Sequence, residues 1–284
     1  MKEKFVGQRG QTALIALLVL TIATTVGLSL IARSTTDIAI TRSLEESARA
    51  FSAAEAGVEK ALITGLSVSS PVDVAQGTRY QVTVAPVTGD ASSALVFSGK
   101  TLSGDTETIW LTDHDGNGTI IDSAPVYTAP TIDVCWSSES VVPAIATTIL
   151  YKNSSDGSYR VVKGAFDPDS TRASGSLANN FSSPTATSGG CGVNTKTTYR
   201  TRLTFAPTIN PASDVLIALR IRPIYSAAQI AVLPAAVLPV QGNQITSVGT
   251  TESGINRKIV VFQSYKSPGT LFDAGVFSEK SFAR

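Results

Sequence analysis

From Thr12 to Ala32 the chain reads TALIALLVLTIATTVGLSLIA, an apolar run without a charged residue. At about 1.5 Å of rise per residue, some ~21 helical residues make a rod close to 30 Å long, the thickness of a bilayer's hydrocarbon core. The run predicts a membrane-spanning helix over 12–32. Lys2, Lys4 and Arg9 stand ahead of it against the single acid Glu3, a basic flank that predicts a cytoplasmic N-terminus and an exported remainder. A cleavable signal peptide opens in the same way, but its apolar core is shorter and ends at a small-x-small site where the pattern changes. Leu30-Ile31-Ala32 matches such a site poorly, and the helical pattern continues beyond it. These features favour a retained anchor.

Past Arg33, Ile40, Leu44, Ala48, Phe51, Val58 and Leu62 recur at helical spacings and draw one apolar stripe. Arg42, Glu45, Glu46, Arg49, Glu59 and Lys60 occupy much of the remainder, with Glu45 and Arg49 spaced as an i,i+4 ion pair. Alanines at 48, 50, 53, 54 and 56 raise helix propensity, Gly57 lowers it, and Gly65 supplies a stop. The distal part of this stripe is expected to pack on the chain's own globular domain. A helix of about 50 residues, on the order of 80 Å, whose first half belongs in lipid, also suits subunits that leave the membrane and stack side by side.

The segment GQTALIALLVL, the polar-flanked helix after it and AFSAAEAGVEKAL (Ala50 to Leu62) resemble the N-terminal region of PilX-like minor pilins of type IV pili and of the related type II secretion pseudopilins. The resemblance covers about the first 65 residues. It implies a short basic leader, residues 1–10, removed on the cytoplasmic face by a prepilin peptidase between Gly10 and Gln11, and a pilin-like helix over 11–65 with Ile15 and the apolar stripe serving helix packing. It further implies residence in the inner membrane before assembly, a cell-surface filament afterwards, and other pilins as partners. In most filament-forming members the fifth mature residue is Glu; here it is Ile15, and the first is Gln11 rather than the commoner Phe or Met. A carboxylate in an apolar filament core needs a partner charge, so an apolar residue is suited to a subunit that lacks one. Tip-located pseudopilins also lack this Glu. The resemblance therefore implies a minor subunit that initiates or caps a filament. Loss of the leader removes three basic residues and one acid, taking the formal charge from +1 to +1 − 2 = −1. No basic patch argues for nucleic acid.

Residues 66–284 are rich in Ser, Thr, Val and Gly and sparse in charge, with short alternating runs between turn clusters. The overall expectation is an α+β chain: one long helix followed by a large, mainly antiparallel, exported β domain. Candidate strands are 79–84, 94–96, 106–112, 131–136, 146–151, 159–163, 199–205, 215–220, 230–232, 244–248 and 258–263, with a last one within Leu271 to Phe282. Hairpins are expected at Asn153 to Gly157 and at Glu252 to Gly254. Asp167 to Asn194 reads as a long surface loop, and a sub-boundary, if there is one, lies near 122–130.

Cys135 and Cys191 are the only cysteines, and an exported compartment permits a disulfide between them; two reduced thiols are the alternative. Asp113-His114-Asp115-Gly116-Asn117-Gly118 resembles the start of a calcium loop, with Asp113, Asp115, Asn117 and Asp122 as candidate ligands. The twelfth position is Ala124, so the closing bidentate acid is missing and a metal-free hairpin turn is favoured. No other cofactor is expected. His114 is the only imidazole, and no G-x-S-x-G, P-loop or dinucleotide fingerprint occurs. Catalysis is therefore not expected. Two further readings stand beside the pilin one: a signal-anchored surface binding module, or adhesin, with an unidentified surface ligand, and an anchored hydrolase using His114 or the nearby acids.

Overall fold

The computed structural model describes residues 9–75, 77–174, 178–192 and 196–270, with side chains from Ala13 onward. Residues 1–8 of the expected leader 1–10, and the candidate strand within 271–282, lie outside the described residues. The fold is α+β, one long helix followed by a mainly antiparallel β region of three four-stranded sheets. Helix α1 (Arg9–Thr64) runs for 56 residues. It ends where Gly65 adopts a left-handed φ of 68° and donates its N–H to the Ala61 carbonyl at 2.8 Å. That closes one of the last carbonyls of the helix, at a position where any Cβ would be strained.

The chain divides into two compact units. One takes it as far as Val84 and adds Ile245–Val261; the other takes Ala85–Gln244 and resumes at Phe262. In the first unit, β1 (Val68–Ala75), β2 (Thr78–Pro86), β11 (Gly242–Thr251) and β12 (Asn256–Ser264) form a sheet in the order β1-β2-β11-β12. Its inner face carries Tyr80, Val82 and Ile245, which pack with Ala61 and, less deeply, Ala56 and Val58 of α1. Strand β1 escapes the sequence reading because Ser69, Ser70 and Pro71 interrupt it. The strand lies at the sheet edge and its register shifts between Val68 and Val72, the setting in which a sheet tolerates proline.

The second unit is a sandwich. Strands β3 (Leu95–Thr101), β10 (Ala228–Pro234), β5 (Thr131–Trp136) and β8 (Tyr199–Thr204) form one sheet in the order β3-β10-β5-β8. Strands β4 (Glu107–Trp110), β9 (Val215–Ile224), β6 (Ala144–Lys152) and β7 (Tyr159–Phe166) form the other in the order β4-β9-β6-β7. Alternation along each strand sends one set of side chains inward: Ile132, Val134 and Trp136 meet Ile145, Leu219 and Ile221 in a common core. Both expected hairpin turns are present, with Gly157 at φ 69° and Gly254 at φ 86°.

The outer face of β5 is covered too. Asp133 receives a bidentate pair of hydrogen bonds from Arg202, its cross-strand neighbour, at 2.8 and 2.9 Å. Cys135 is bonded to Cys191, with 5.7 Å between the Cα atoms. The disulfide ties the long segment after β7 to the sheet. Nearer its start that segment is held by Asp167, whose buried carboxylate accepts from Arg172, from the Asp169 amide and from Asn179.

Candidate functional site

Helix α1 is the one described helix long and apolar enough to cross a membrane. Gly10 and Gln11 lie in its first turns, and their side chains are outside the described residues. From Ala13 to about Ser43 the helix is bare. The threonine hydroxyls in this stretch are internally satisfied: Thr21, Thr24, Thr25, Thr35, Thr36 and Thr41 each donate back to a carbonyl one turn earlier, at 2.8 to 2.9 Å. Such back-bonding removes the cost of a free hydroxyl in hydrocarbon. Ile15 is 62% exposed.

The distal half of α1 docks on its own sheet, but not through the large apolar stripe. Contact is made by Ala50, Ala53, Ala54, Gly57 and Ala61. A Cβ on Gly249 of β11 would collide with the Ala50 carbonyl oxygen and lie 2.6 Å from the Ala54 nitrogen; one on Gly57 would collide with Ser247 Oγ. Small residues on both sides let backbone meet backbone. Hydrogen bonds fix the register: Ser253 Oγ donates to Glu46 and Arg257 Nε donates to Ser47 Oγ, each at 2.8 Å. Hydrogen bonds from Ser253 and Thr251 hold the Glu46 carboxyl below its usual range.

The large apolar residues thereby remain on the outside. Ile40, Leu44, Phe51 and Leu62 are 53, 66, 47 and 44% exposed, and Val58 alone of the stripe is half-buried. At about 100° per residue the stripe lies roughly 100° around the helix from the docked seam. The polar run Arg33 to Asp37 separates it from the apolar N-terminal half. The seam was missed in the sequence because alanine there reads as helix propensity; its signal is the i, i+3, i+4 spacing of 50, 53, 54, 57 and 61.

Of the candidate calcium residues, Asp115 and Asp122 hold hydrogen bonds within the chain. Asp115 Oδ1 accepts the amides of Asn117 and Thr119 at 2.8 Å, and Gly118, at φ 79°, donates to the Asp115 carbonyl at 2.9 Å. The Ile121 amide closes on the Asp113 carbonyl at 2.9 Å. Asp122 points to another set of partners, the Tyr159 hydroxyl and, at 3.1 Å, Lys152 Nζ. These hydrogen bonds hold both Asp115 and Asp122 below the usual carboxylate range. The segment is a hairpin turn, and among the described residues no three His, Cys, Asp or Glu side chains converge.

His114, from the same turn, is stacked between aromatic rings rather than set beside a nucleophile. Its neighbours are Trp110 and Tyr265, at centroid distances of 4.6 and 4.0 Å. A cleft of about 380 Å³ opens between the edge strands β3 and β4, lined in part by Phe97, Thr108, Trp110 and Tyr265. At its floor the Gln241 carboxamide bonds both the N–H and the C=O of Trp110 at 2.8 Å, standing where the peptide of a neighbouring strand would be. No family model matches the chain, and neither a curated protein nor a solved structure matches it.

Proposed function

We propose that this chain is a minor pilin or pseudopilin, a non-enzymatic subunit that initiates or caps a type IV pilus-like filament. Before assembly, residues 12–32 hold it in the inner membrane; after a prepilin peptidase cuts between Gly10 and Gln11, the helix is extracted and its lipid contacts are replaced by contacts with other pilins. The observation that carries this reading is the split use of α1. Its small-residue seam is spent on its own sheet, while beyond the bare bilayer segment a large apolar stripe, Ile40 to Leu62, stays exposed. Ile15 supports a position without a charge partner in the filament core, at the tip rather than along the shaft. The β region, with its disulfide, is then the part presented outside the cell, where it caps the filament or meets a surface ligand.

Mass measurement of the protein purified from its native envelope tests the reading. A pilin begins at Gln11, whereas a signal-anchored surface module keeps residues 1–10. Gly10→Leu should leave the leader in place and stop assembly. A mature protein that retains its leader and is never accompanied by a sister pilin would falsify the proposal.

A further inference from the structure

After β12 the chain is fastened across the β4–β9 pair at two places. Tyr265 lies flat on His114, with 8° between ring planes and 4.0 Å between centroids, and His114 in turn meets Trp110 nearly edge-on, at 81°. Three and four residues on, the Arg220 guanidinium donates to the Pro268 carbonyl at 2.9 Å and to that of Gly269 at 3.4 Å. The ring of Tyr265 also completes the apolar cluster of Trp110, Val215, Ile217 and Ala218. It rests on the turn as well, since a Cβ on Gly118 would lie 3.7 Å from Tyr265 Cδ1.

His114 is an unusual clasp. Both ring nitrogens are shut off from water and neither has a hydrogen-bond partner. A neutral imidazole in this position leaves one donor and one acceptor unmet; an imidazolium leaves two donors unmet and places a charge between apolar rings. The charged form is therefore the one that the stack tolerates least, even allowing for the attraction of a cation to a ring face. We propose that His114 is a pH-sensitive latch: neutral, it clasps Tyr265 and holds residues 265–270 across β4 and β9; protonated, it releases Tyr265 and uncovers Trp110, Val215, Ile217 and Ala218.

The surroundings agree. Burial pushes the His114 pKa below the ordinary 6.5, and the carboxylates of Asp113 and Asp115 in the same turn oppose this without overturning it. The other titratable groups on the packed elements are Glu107 on β4, Arg220 and Arg222 on β9, Tyr151 and Lys152 on β6, the last engaged with Asp122, and Tyr265 and Lys266 on the fastened segment. The released segment leaves an imidazole of ordinary affinity for protons, so the open state binds more protons below about pH 6.5. The clasp is at full strength above that pH and weakens as the pH falls, by at most about tenfold in the opening constant per pH unit for a single proton. His114 is the only histidine in the chain, and no other side chain has an ordinary pKa between about 5 and 8.

The test uses the full-length protein in detergent micelles. Nitrogen NMR of the single labelled imidazole should show titration below 6.5, and hydrogen exchange of residues 265–270, corrected for the intrinsic rate, should show opening that rises several-fold, up to about tenfold, between pH 7.5 and 5.5. His114→Phe keeps a ring in the stack and should be equally protected at both pH values. Tyr265→Ala, which unroofs the imidazole, should bring its titration up towards the ordinary value, a readout that survives even if the Phe variant fails to dock. Titration at or above 6.5 in the wild type, equal protection at the two pH values, acid loosening that persists in the Phe variant, or an unchanged titration in Tyr265→Ala would each overturn the latch.

Discussion

Gly249 and Ser247 are separated by one residue on β11 and face the same helix, yet substitution should move stability in opposite directions. Gly249 is a site of backbone contact: any added carbon meets the Ala50 carbonyl and the Ala54 nitrogen, so α1 must shift outward. Gly249→Val should cost about 3 kcal/mol in denaturant unfolding, the upper end of overpacking penalties. Ser247 Oγ is buried against Gly57 with no hydrogen-bond partner. A hydroxyl in that state is a loss relative to a methyl group, so Ser247→Ala should stabilise by about 1 kcal/mol, read as a higher unfolding midpoint at unchanged slope. Neither position was legible beforehand. Small residues in a helix or strand announce a close approach only once the facing backbone is known, and Ala50 and Gly249 are brought together from opposite ends of the chain. The cysteine pair was legible, because the number of cysteines and an exported compartment suffice for it.

At the level of elements, alternation does most of the specifying. Each of the eleven strands expected before Leu271 is present, with ends shifted by a few residues, because inward and outward positions differ in chemistry along most of them, β9 with its doubly buried apolar run being one exception. β5 shows the limit of that rule: Asp133 and Cys135 point away from the core and are buried nonetheless, by Arg202 and by the disulfide. The segment after β7 has no periodicity, and its order comes from two stakes that a local reading cannot weigh. One is the disulfide, which closes a loop of 56 residues. On the chain-entropy view, Cys191→Ala together with Cys135→Ala should lower stability by about 4 kcal/mol, measured by denaturant unfolding against the oxidised protein. The other is Asp167. Burial alone would raise its pKa, but the hydrogen bonds from Arg172, the Asp169 amide and Asn179 outweigh this and the value falls below the ordinary 3.8. Its stabilising contribution is therefore present above about pH 3.8 and is lost as the pH drops through the lowered native value. Hydrogen exchange over residues 167–174 should stay slow at pH 5 and quicken in that acid range. Asp167→Asn, which leaves the Arg172 guanidinium only the Asp169 carboxylate, 3.7 Å away, should make the same segment loose already at neutral pH, at a cost of about 3 kcal/mol.

At the scale of the whole molecule, α1 has two apolar faces with different obligations. Buried on one side against its own sheet, it contributes to folding; exposed on the other, Ile40, Leu44, Phe51 and Leu62 gain nothing from the fold of a single chain. Water around such a stripe is a standing cost of about 25 cal/mol per Å² of apolar surface, recovered only when lipid or another protein covers it. Length and composition made the first half of the helix readable as a span. The partition of the second half was not readable, because a stripe that packs inward and one that packs on a neighbour have the same 3.6-residue period. The two roles separate by mutation. Leu44→Asp alters a side chain that touches none of the chain's own core, so the unfolding midpoint of the purified protein should move by less than about 0.5 kcal/mol. The same change places a carboxylate in the contact proposed with neighbouring pilins, so the protein should remain folded in the membrane and disappear from sheared filaments. Gly249→Val should do the reverse for any molecule that still folds, loosening the seam while leaving the outer stripe chemically intact. If Leu44→Asp instead unfolds the chain, the stripe belongs to the fold after all; if it folds and still enters filaments at the wild-type level, the stripe is not the assembly face.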